Sequence, residues 1–304
     1  YADYVAKKVG KTHLKLVVDS GNGSCGPVAM RIFEKMDCNA VGMFVEPDGA
    51  FPNHLADPHN KSTLVQLQKR VVSEKADLGI ALDGDGDRVY FIDEKGGVIL
   101  PEVSGVLFVR DVLKTQPGST IAFELRCSLA LREEIEKYGG KPVMTAAGRV
   151  AVRETVAKTR SPFGTEITGH VCFGENNGFD DGLFASAKFA SLLAKSGKKA
   201  SALVASVPKY FTSIEYRVVV PAEKKNAIVE GVKTALAKEF EVSELDGVYI
   251  ASGDYWGLLR ASNTEPKLGI RFEGKTKEKL EFAYGVFKKA LKQQGVELPA
   301  LEVE

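Results

Sequence analysis

Leu78-Gly79-Ile80-Ala81-Leu82-Asp83-Gly84-Asp85-Gly86-Asp87-Arg88-Val89-Tyr90-Phe91-Ile92 runs from an apolar strand through an acidic turn into a second apolar strand. Three carboxylates alternate with two glycines. Glycine lets the backbone curl, so side chains that a strand would send to opposite faces can converge. Converging carboxylates raise one another's proton affinity unless a cation sits among them. A hard divalent ion such as Mg²⁺, which takes oxygen ligands and keeps open positions, answers that repulsion. Arg88, next in line, offers a guanidinium fork to a phosphate completing the site. Two other readings compete. A solvated Asp-Gly hairpin turn accounts for one Asp-Gly pair better than for two followed by Asp-Arg. An EF-hand loop would place Asp83, Asp85 and Asp87 at its first, third and fifth positions and Glu94 at its twelfth. Its sixth position needs Gly and here holds Arg88, and the flanks read as strands.

Outward from this turn, strands and helices alternate. Residues 14–18 form a strand that stops at Asp19-Ser20-Gly21-Asn22-Gly23, a turn rich in residues that tolerate positive φ. A helix over 27–36, a strand over 40–45, a Pro-rich loop over 47–58 and a helix over 64–75 lead back to the acidic turn. The order then repeats: strand 119–125, helix 130–138, strand 141–145, helix 150–158 and a strand-loop over 163–172. Such alternation implies βαβ units and a parallel or mixed sheet, and the repetition points to a duplicated domain. The last third differs. Strand 213–220 precedes helix 222–239, and strands 247–251, 257–260 and 268–273 are grouped between that helix and helix 277–293, the pattern of a smaller α+β domain. The expected fold is therefore α/β: two related βαβ-type domains with mixed sheets, over 1–97 and 98–209, and an α+β domain over 210–304.

The bulk numbers suit this. The chain has 304 residues, 44% hydrophobic and 27% charged, enough for more than one core. Forty-one basic residues against forty acidic ones leave a net charge of +1, no electrostatic reason to expect nucleic acid or a membrane surface as partner. Cys25, Cys38, Cys127 and Cys172 form no CxxC pair and read as thiols of a reducing cytoplasm. No apolar run reaches the roughly 18 residues a membrane span needs. With Tyr1 in place of an initiator Met, the expectation is a piece of something longer.

Two further loops hold dense polar groups. Arg260-Ala261-Ser262-Asn263-Thr264-Glu265-Pro266 offers an Arg fork, hydroxyls and an amide, which suits a phosphate and equally an ordinary polar turn. Thr165-Glu166-Ile167-Thr168-Gly169-His170 offers a carboxylate, a hydroxyl and an imidazole, able to bind sugar hydroxyls and move protons; in isolation it also reads as a plain surface loop. Each lies at a strand end, where open α/β sheets place their ligands.

Taken together, these strings resemble the α-D-phosphohexomutases. LDGDGDR resembles that family's magnesium loop, TEITGH its sugar-recognition loop and RASNTEP its phosphate-binding loop in the phosphomannomutase/phosphoglucomutase branch. VVDSGNG, PDGAFPNHLADP and GFDDG are similar to other family segments, in family order. The resemblance covers the second to fourth of four domains. It implies an isomerase of carbohydrate metabolism, cytoplasmic, that interconverts hexose 1- and 6-phosphates through a hexose 1,6-bisphosphate and a phosphoserine. By resemblance Asp83, Asp85 and Asp87 hold Mg²⁺, with Arg88 beside it. Glu166 and Thr168 read the sugar, His170 transfers a proton, and Arg260, Ser262, Asn263 and Thr264 grip the distal phosphate. Arg126 and Arg149 stand where the bacterial branch has Lys and His; as cationic donors they imply further contacts to substrate. The phosphoserine loop itself is absent, since no Ser-His pair occurs. The expectation is a phosphoprotein whose first domain is missing here and without which this chain is inactive. A non-catalytic sugar-phosphate-binding or regulatory protein is the alternative.

Overall fold

The computed structural model describes residues 1–262 and 265–304. The first domain contains α1 (Ala2–Val9), β1 (Lys15–Asp19), α2 (Gly26–Lys35), β2 (Asn39–Met43), α3 (Val65–Glu74), β3 (Leu78–Leu82), β4 (Val89–Asp93) and β5 (Val98–Ile99). Its sheet runs β2-β1-β3-β4-β5, with β1, β2 and β3 parallel and β4 antiparallel to β3. Strands β3 and β4 are buried at every position, which explains their unbroken apolar runs. They flank the acidic turn, so no helix-loop-helix calcium site exists there.

The second domain repeats the plan. After α4 (Pro101–Thr115) come β6 (Thr120–Glu124), α5 (Leu129–Lys137), β7 (Lys141–Thr145), α6 (Arg149–Thr159), β8 (Phe163–Thr165), β9 (Val171–Phe173), α7 (Gly182–Ser196) and α8 (Ala200–Val204). Its sheet runs β7-β6-β8-β9, parallel for β6, β7 and β8 and antiparallel for β9. The strand order is that of the first domain without its edge strand. The loop between β8 and β9, residues 166–170, therefore occupies the same topological place as the acidic turn between β3 and β4.

The third domain is built from β10 (Phe211–Thr212), β11 (Tyr216–Val219), α9 (Lys225–Leu236), β12 (Val242–Ser243), β13 (Val248–Ala251), β14 (Tyr255–Ala261), β15 (Lys267–Gly274) and α10 (Lys277–Gln293). Its sheet is antiparallel, in the order β10-β15-β14-β13-β12, with β11 also on β15. The strand expected over 213–220 is β11, shorter at both ends, and the two-residue β10 precedes it. Thr212 pairs with Glu273 and Tyr216 with Ile270, so four steps along one strand match three along the other. That extra residue is a bulge. The mixed α/β class holds across all three domains.

By contacts the chain divides into two units, residues 1–127 with 131–207, and 128–130 with 208–304. In the first, one continuous core runs through both sheets and buries α4 and α7. Phe189 of α7 is fully buried, stacked on Phe91 of β4 at 4.1 Å between ring centroids and edge-on to Phe108 of α4 at 5.6 Å. We expect Phe189→Ala to cost about 3–5 kcal/mol, the range for truncating a buried aromatic, read as a lower midpoint in urea denaturation. In the second unit, Leu259, Ile270 and Phe272 pack against Leu280, Phe287 and Leu291 of α10. Cys25, Cys127 and Cys172 are buried, Cys38 is half-buried, and all four are free thiols.

Candidate active site

The acidic turn is held from within. Asp83, buried, accepts the backbone N–H of Gly86 at 3.0 Å and of Arg88 at 3.1 Å on Oδ1, and Arg88 Nε at 2.7 Å on Oδ2. Gly86 turns the chain at φ +79°, and a Cβ there would lie 2.7 Å from Cβ of Cys25. The fold thus needs a residue with no side chain between Asp85 and Asp87. The result is a compact trio: one oxygen from each of Asp83, Asp85 and Asp87 lies within 4.8 Å of the others. Asp85 is exposed, and no hydrogen bond or ion pair among the described residues engages it.

Such crowding has an electrostatic signature. Burial, reinforced by Asp83 and Asp85 and opposed by His170, raises the Asp87 carboxyl from 3.8 to about 6. Because the folded state binds this proton more tightly than the unfolded one, the stabilisation belongs to low pH and is lost as pH rises from about 4 through about 6. Above that range the clustered charges oppose folding until a cation offsets them. The donor set fits a hard divalent ion: all oxygen, on one tight turn, with one carboxylate otherwise unengaged. We expect Mg²⁺ to raise the melting temperature clearly at pH 7.5 and less at pH 5, measured by thermal melts with and without the ion.

Arg88 is fixed by two carboxylates, Asp83 through Nε and Asp57 through Nη1 at 2.8 Å. Its backbone forms an antiparallel bridge with His170, and Val89 N–H donates to the Gly169 carbonyl at 3.2 Å. This bridge joins the two topologically equivalent loops side by side. His170 Nδ1, buried, lies 3.3 Å from Asp180 Oδ2 and 3.5 Å from Asp87 Oδ1, aligned for a hydrogen bond with neither. Its Nε2 lies 3.8 Å from Glu166 Oε1. Glu166, buried, accepts the Thr168 hydroxyl.

The two arginines of the second domain are both held by acids. Arg126 grips the fully buried Glu124 through Nε at 2.5 Å and Nη2 at 3.0 Å. Burial pushes the Glu124 carboxyl up, while Arg126 works against the shift. Arg149, at the start of α6, reaches Asp87 and lies 3.4 Å from Asp180. Asp180 is further paired with Arg153 at 3.2 Å. Despite its burial, the adjacent His170 imidazole and the Arg153 guanidinium hold its carboxyl below the ordinary range.

Arg88, His170, Glu166, Thr168 and Arg149 are therefore assembled around the aspartate trio. Arg126 sits at the end of β6, turned onto Glu124. Arg260 and Ser262 belong to the second compact unit, where Arg260 Nε donates to Asp246 at 2.9 Å. Asn263 and Thr264 lie outside the described residues. Sequence reading assigned no role to Asp180 or Asp57, although the strings GFDDG and PDGAFPNHLADP contain them. Gly182 carries the only local signal for Asp180: a Cβ on it would lie 2.8 Å from the Gly86 carbonyl oxygen, so GFDDG must dock directly on the acidic turn.

Two sheets of one topology, joined where each ends in a polar loop, define a duplicated α/β protein. Residues 1–97 match phosphoglucomutase/phosphomannomutase alpha/beta/alpha domain II, residues 101–211 its alpha/beta/alpha domain III, and residues 215–282 its C-terminal domain. The phosphomannomutase/phosphoglucomutase of Pseudomonas aeruginosa is 37% identical over 288 residues, covering 94% of this chain and 62% of that protein. A phosphoglucomutase of Neisseria meningitidis is 32% identical, covering 91% of this chain and 61% of its own length. A crystal structure of a phosphoglucomutase/phosphomannomutase family protein from Burkholderia thailandensis superposes with a TM-score of 0.89 at 32% identity, covering 99% of this chain and 66% of that one. This chain belongs to the phosphoglucomutase/phosphomannomutase family. It spans less than two thirds of the length of these relatives.

Proposed function

We propose that the complete protein is a phosphohexomutase that interconverts the 1- and 6-phosphates of glucose and mannose through a hexose 1,6-bisphosphate. The observation that carries this reading is the backbone bridge between Arg88 and His170, which sets the carboxylate trio and the sugar-type loop into one site in a chain of this family. Asp83, Asp85 and Asp87 hold Mg²⁺, which when bound neutralises charge on the phosphoryl oxygens. Arg88, immobilised by Asp83 and Asp57, presents a fixed positive charge beside it. Glu166 and Thr168 orient the sugar by its hydroxyls, and His170 takes the proton from the attacking hydroxyl and returns it. Arg126 and Arg149 contact the substrate from the second domain. Arg260 and Ser262, with Asn263 and Thr264, grip the distal phosphate. Positioning and charge neutralisation are most of what phosphoryl transfer asks of a protein. The phosphoryl donor is a phosphoserine on a further domain, in keeping with matches to domains II, III and the C-terminal domain.

The test is turnover by the full-length protein on glucose 1-phosphate and mannose 1-phosphate, with Mg²⁺ and catalytic hexose 1,6-bisphosphate. Formation of both 6-phosphates supports the proposal. Binding of hexose phosphate with no turnover of either overturns it in favour of a non-catalytic binding protein. Within that assay, Arg260→Ala should raise KM about ten-fold for both hexoses and leave kcat within a few-fold, because both present the same distal phosphate. An unchanged KM would remove the 260–266 loop from the site.

A further inference from the structure

Each sheet of the first unit has one strand flanked on both sides by parallel partners, β1 between β2 and β3, and β6 between β7 and β8. Both of these strands end on a buried carboxylate, Asp19 in β1 and Glu124 in β6. The two are engaged in the same way. Asp19 accepts the N–H of Gly21, two residues on, at 2.9 Å on Oδ1, while its Oδ2 lies 3.1 Å from Nε2 of His54. Glu124 accepts the N–H of Arg126, two residues on, at 3.2 Å on Oε1, and the Arg126 guanidinium closes on both carboxylate oxygens through Nε and Nη2. Burial pushes both carboxyls up; Gly21 and His54 oppose the shift in one, Arg126 in the other.

A buried carboxylate costs stability unless it is paired, so the same placement in both copies directs attention to the groups held. In the first domain that group is His54, on the loop whose Asp57 accepts Arg88 Nη1 at 2.8 Å. The strand end there steadies, at one remove, the fixed charge beside the acidic turn. In the second domain the group held is Arg126 itself. Contact through Nε and Nη2 together fixes the plane of the guanidinium, and 11% of the side chain stays exposed. Glu166 of the sugar-type loop lies near enough for its charge to add to the proton affinity of Glu124. Burial, reinforced by Glu124, Glu102 and Glu166, likewise raises the Cys127 thiol. The end of β6 and the sugar-type loop therefore share one acidic neighbourhood, and Arg126 brings positive charge into it.

We propose that Glu124 is a positioning residue for sugar recognition: it sets the plane of Arg126 near Glu166, so that the guanidinium meets a hexose phosphate already ordered. This rests on reading Arg126 as a substrate contact. A free arginine has several rotatable bonds to freeze when a ligand arrives. Fixing them beforehand removes that cost, and the gain falls on KM, since the contact is made alike in ground and transition states.

The experiment is steady-state kinetics of the full-length protein on glucose 1-phosphate and mannose 1-phosphate, with a thermal melt of each variant. Glu124→Gln keeps the size of the side chain and turns one acceptor into a donor facing the arginine. We expect its KM to rise about ten-fold for both hexoses with kcat within a few-fold. Glu124→Asp keeps the charge and shortens the reach, so the fork cannot close fully; its KM should rise less. It decides the matter where Glu124→Gln strands the buried arginine and does not fold. Because the effect runs through Arg126, adding Glu124→Gln to Arg126→Gln should move KM by no more than about two-fold beyond Arg126→Gln alone. Normal KM in the folded Glu124 variants beside a raised KM in Arg126→Gln overturns this inference and leaves Arg126 as a contact, whatever the melting temperatures do. Effects that multiply in the double variant also overturn it, since Glu124 would then act apart from Arg126. Unchanged KM in Arg126→Gln as well removes Arg126 from the site, and absence of turnover by the unaltered protein sinks the mutase reading itself.

Discussion

If the complete protein is the mutase proposed above, Asp85→Asn should abolish divalent-cation binding and lower kcat by at least roughly 10²–10³-fold, the scale for removing one preorganised electrostatic stabiliser. The three aspartates are not equivalent. Asp83 spends both oxygens inside the loop, on two backbone N–H groups and on Arg88. Replacing it should unfold the turn as well as remove a ligand. Asp87 is shared with Arg149 and lies near His170. Asp85 is the exposed member, with no hydrogen bond or ion pair among the described residues, so its charge is available to a cation and its loss leaves the loop standing. The amide in Asp85→Asn is isosteric, and the melting temperature without metal should stay level or rise as repulsion is relieved. Mn²⁺ binding followed by electron paramagnetic resonance gives a readout independent of turnover. Normal cation affinity and near-normal kcat in the variant would remove the metal role.

The acidic turn and the sugar-type loop were legible because all their chemistry lies within a few residues of sequence. In LDGDGDR the alternation itself states the geometry: glycines permit the curl, and the carboxylates then converge. The partners of those residues were not legible, because folding brings them from far away. Arg149 is 62 residues from Asp87, and Asp57 is 31 from Arg88. Asp180 stood in a quoted string without a role, since nothing local distinguishes a carboxylate aimed at an imidazole from one that caps a helix. Its neighbour Asp181 does the latter, accepting Phe184 N–H at the start of α7.

The fold shows the same division. Helices with one apolar stripe, such as α2 and α10, announce themselves by their period. α4 and α7 went unassigned because they are buried on most sides; α7 hides Leu183, Phe184, Ala185, Ser186, Ala187, Phe189 and Ala190 in near succession. A helix buried all round has no polar face to set against an apolar one, so periodicity carries no signal. The break between β10 and β11 was invisible for another reason. A bulge is decided by the register of the partner strand, here β15, and not by the bulged residues alone.

His170→Asn should lower kcat by roughly 10²–10⁴-fold while KM moves only a few-fold, the scale on which a positioned proton-transfer group contributes. The side chain is mostly buried, yet it carries little of the fold. Its backbone makes the bridge to Arg88, and its Nδ1 is near Asp180 and Asp87 without an aligned hydrogen bond to either. Truncation to Asn keeps the backbone bridge and removes the imidazole. Asp180 on one side and Glu166 on the other leave the ring flanked by two carboxylates. Asp180→Asn should give an intermediate loss of kcat, because it changes one of the two groups that flank the ring without removing the imidazole. Rapid-quench measurement of phosphoryl transfer separates this step from product release. A single-turnover rate in His170→Asn within about five-fold of the unaltered enzyme, far below the span expected of a general base, would assign the proton to another group and reduce His170 to a spacer between the two loops.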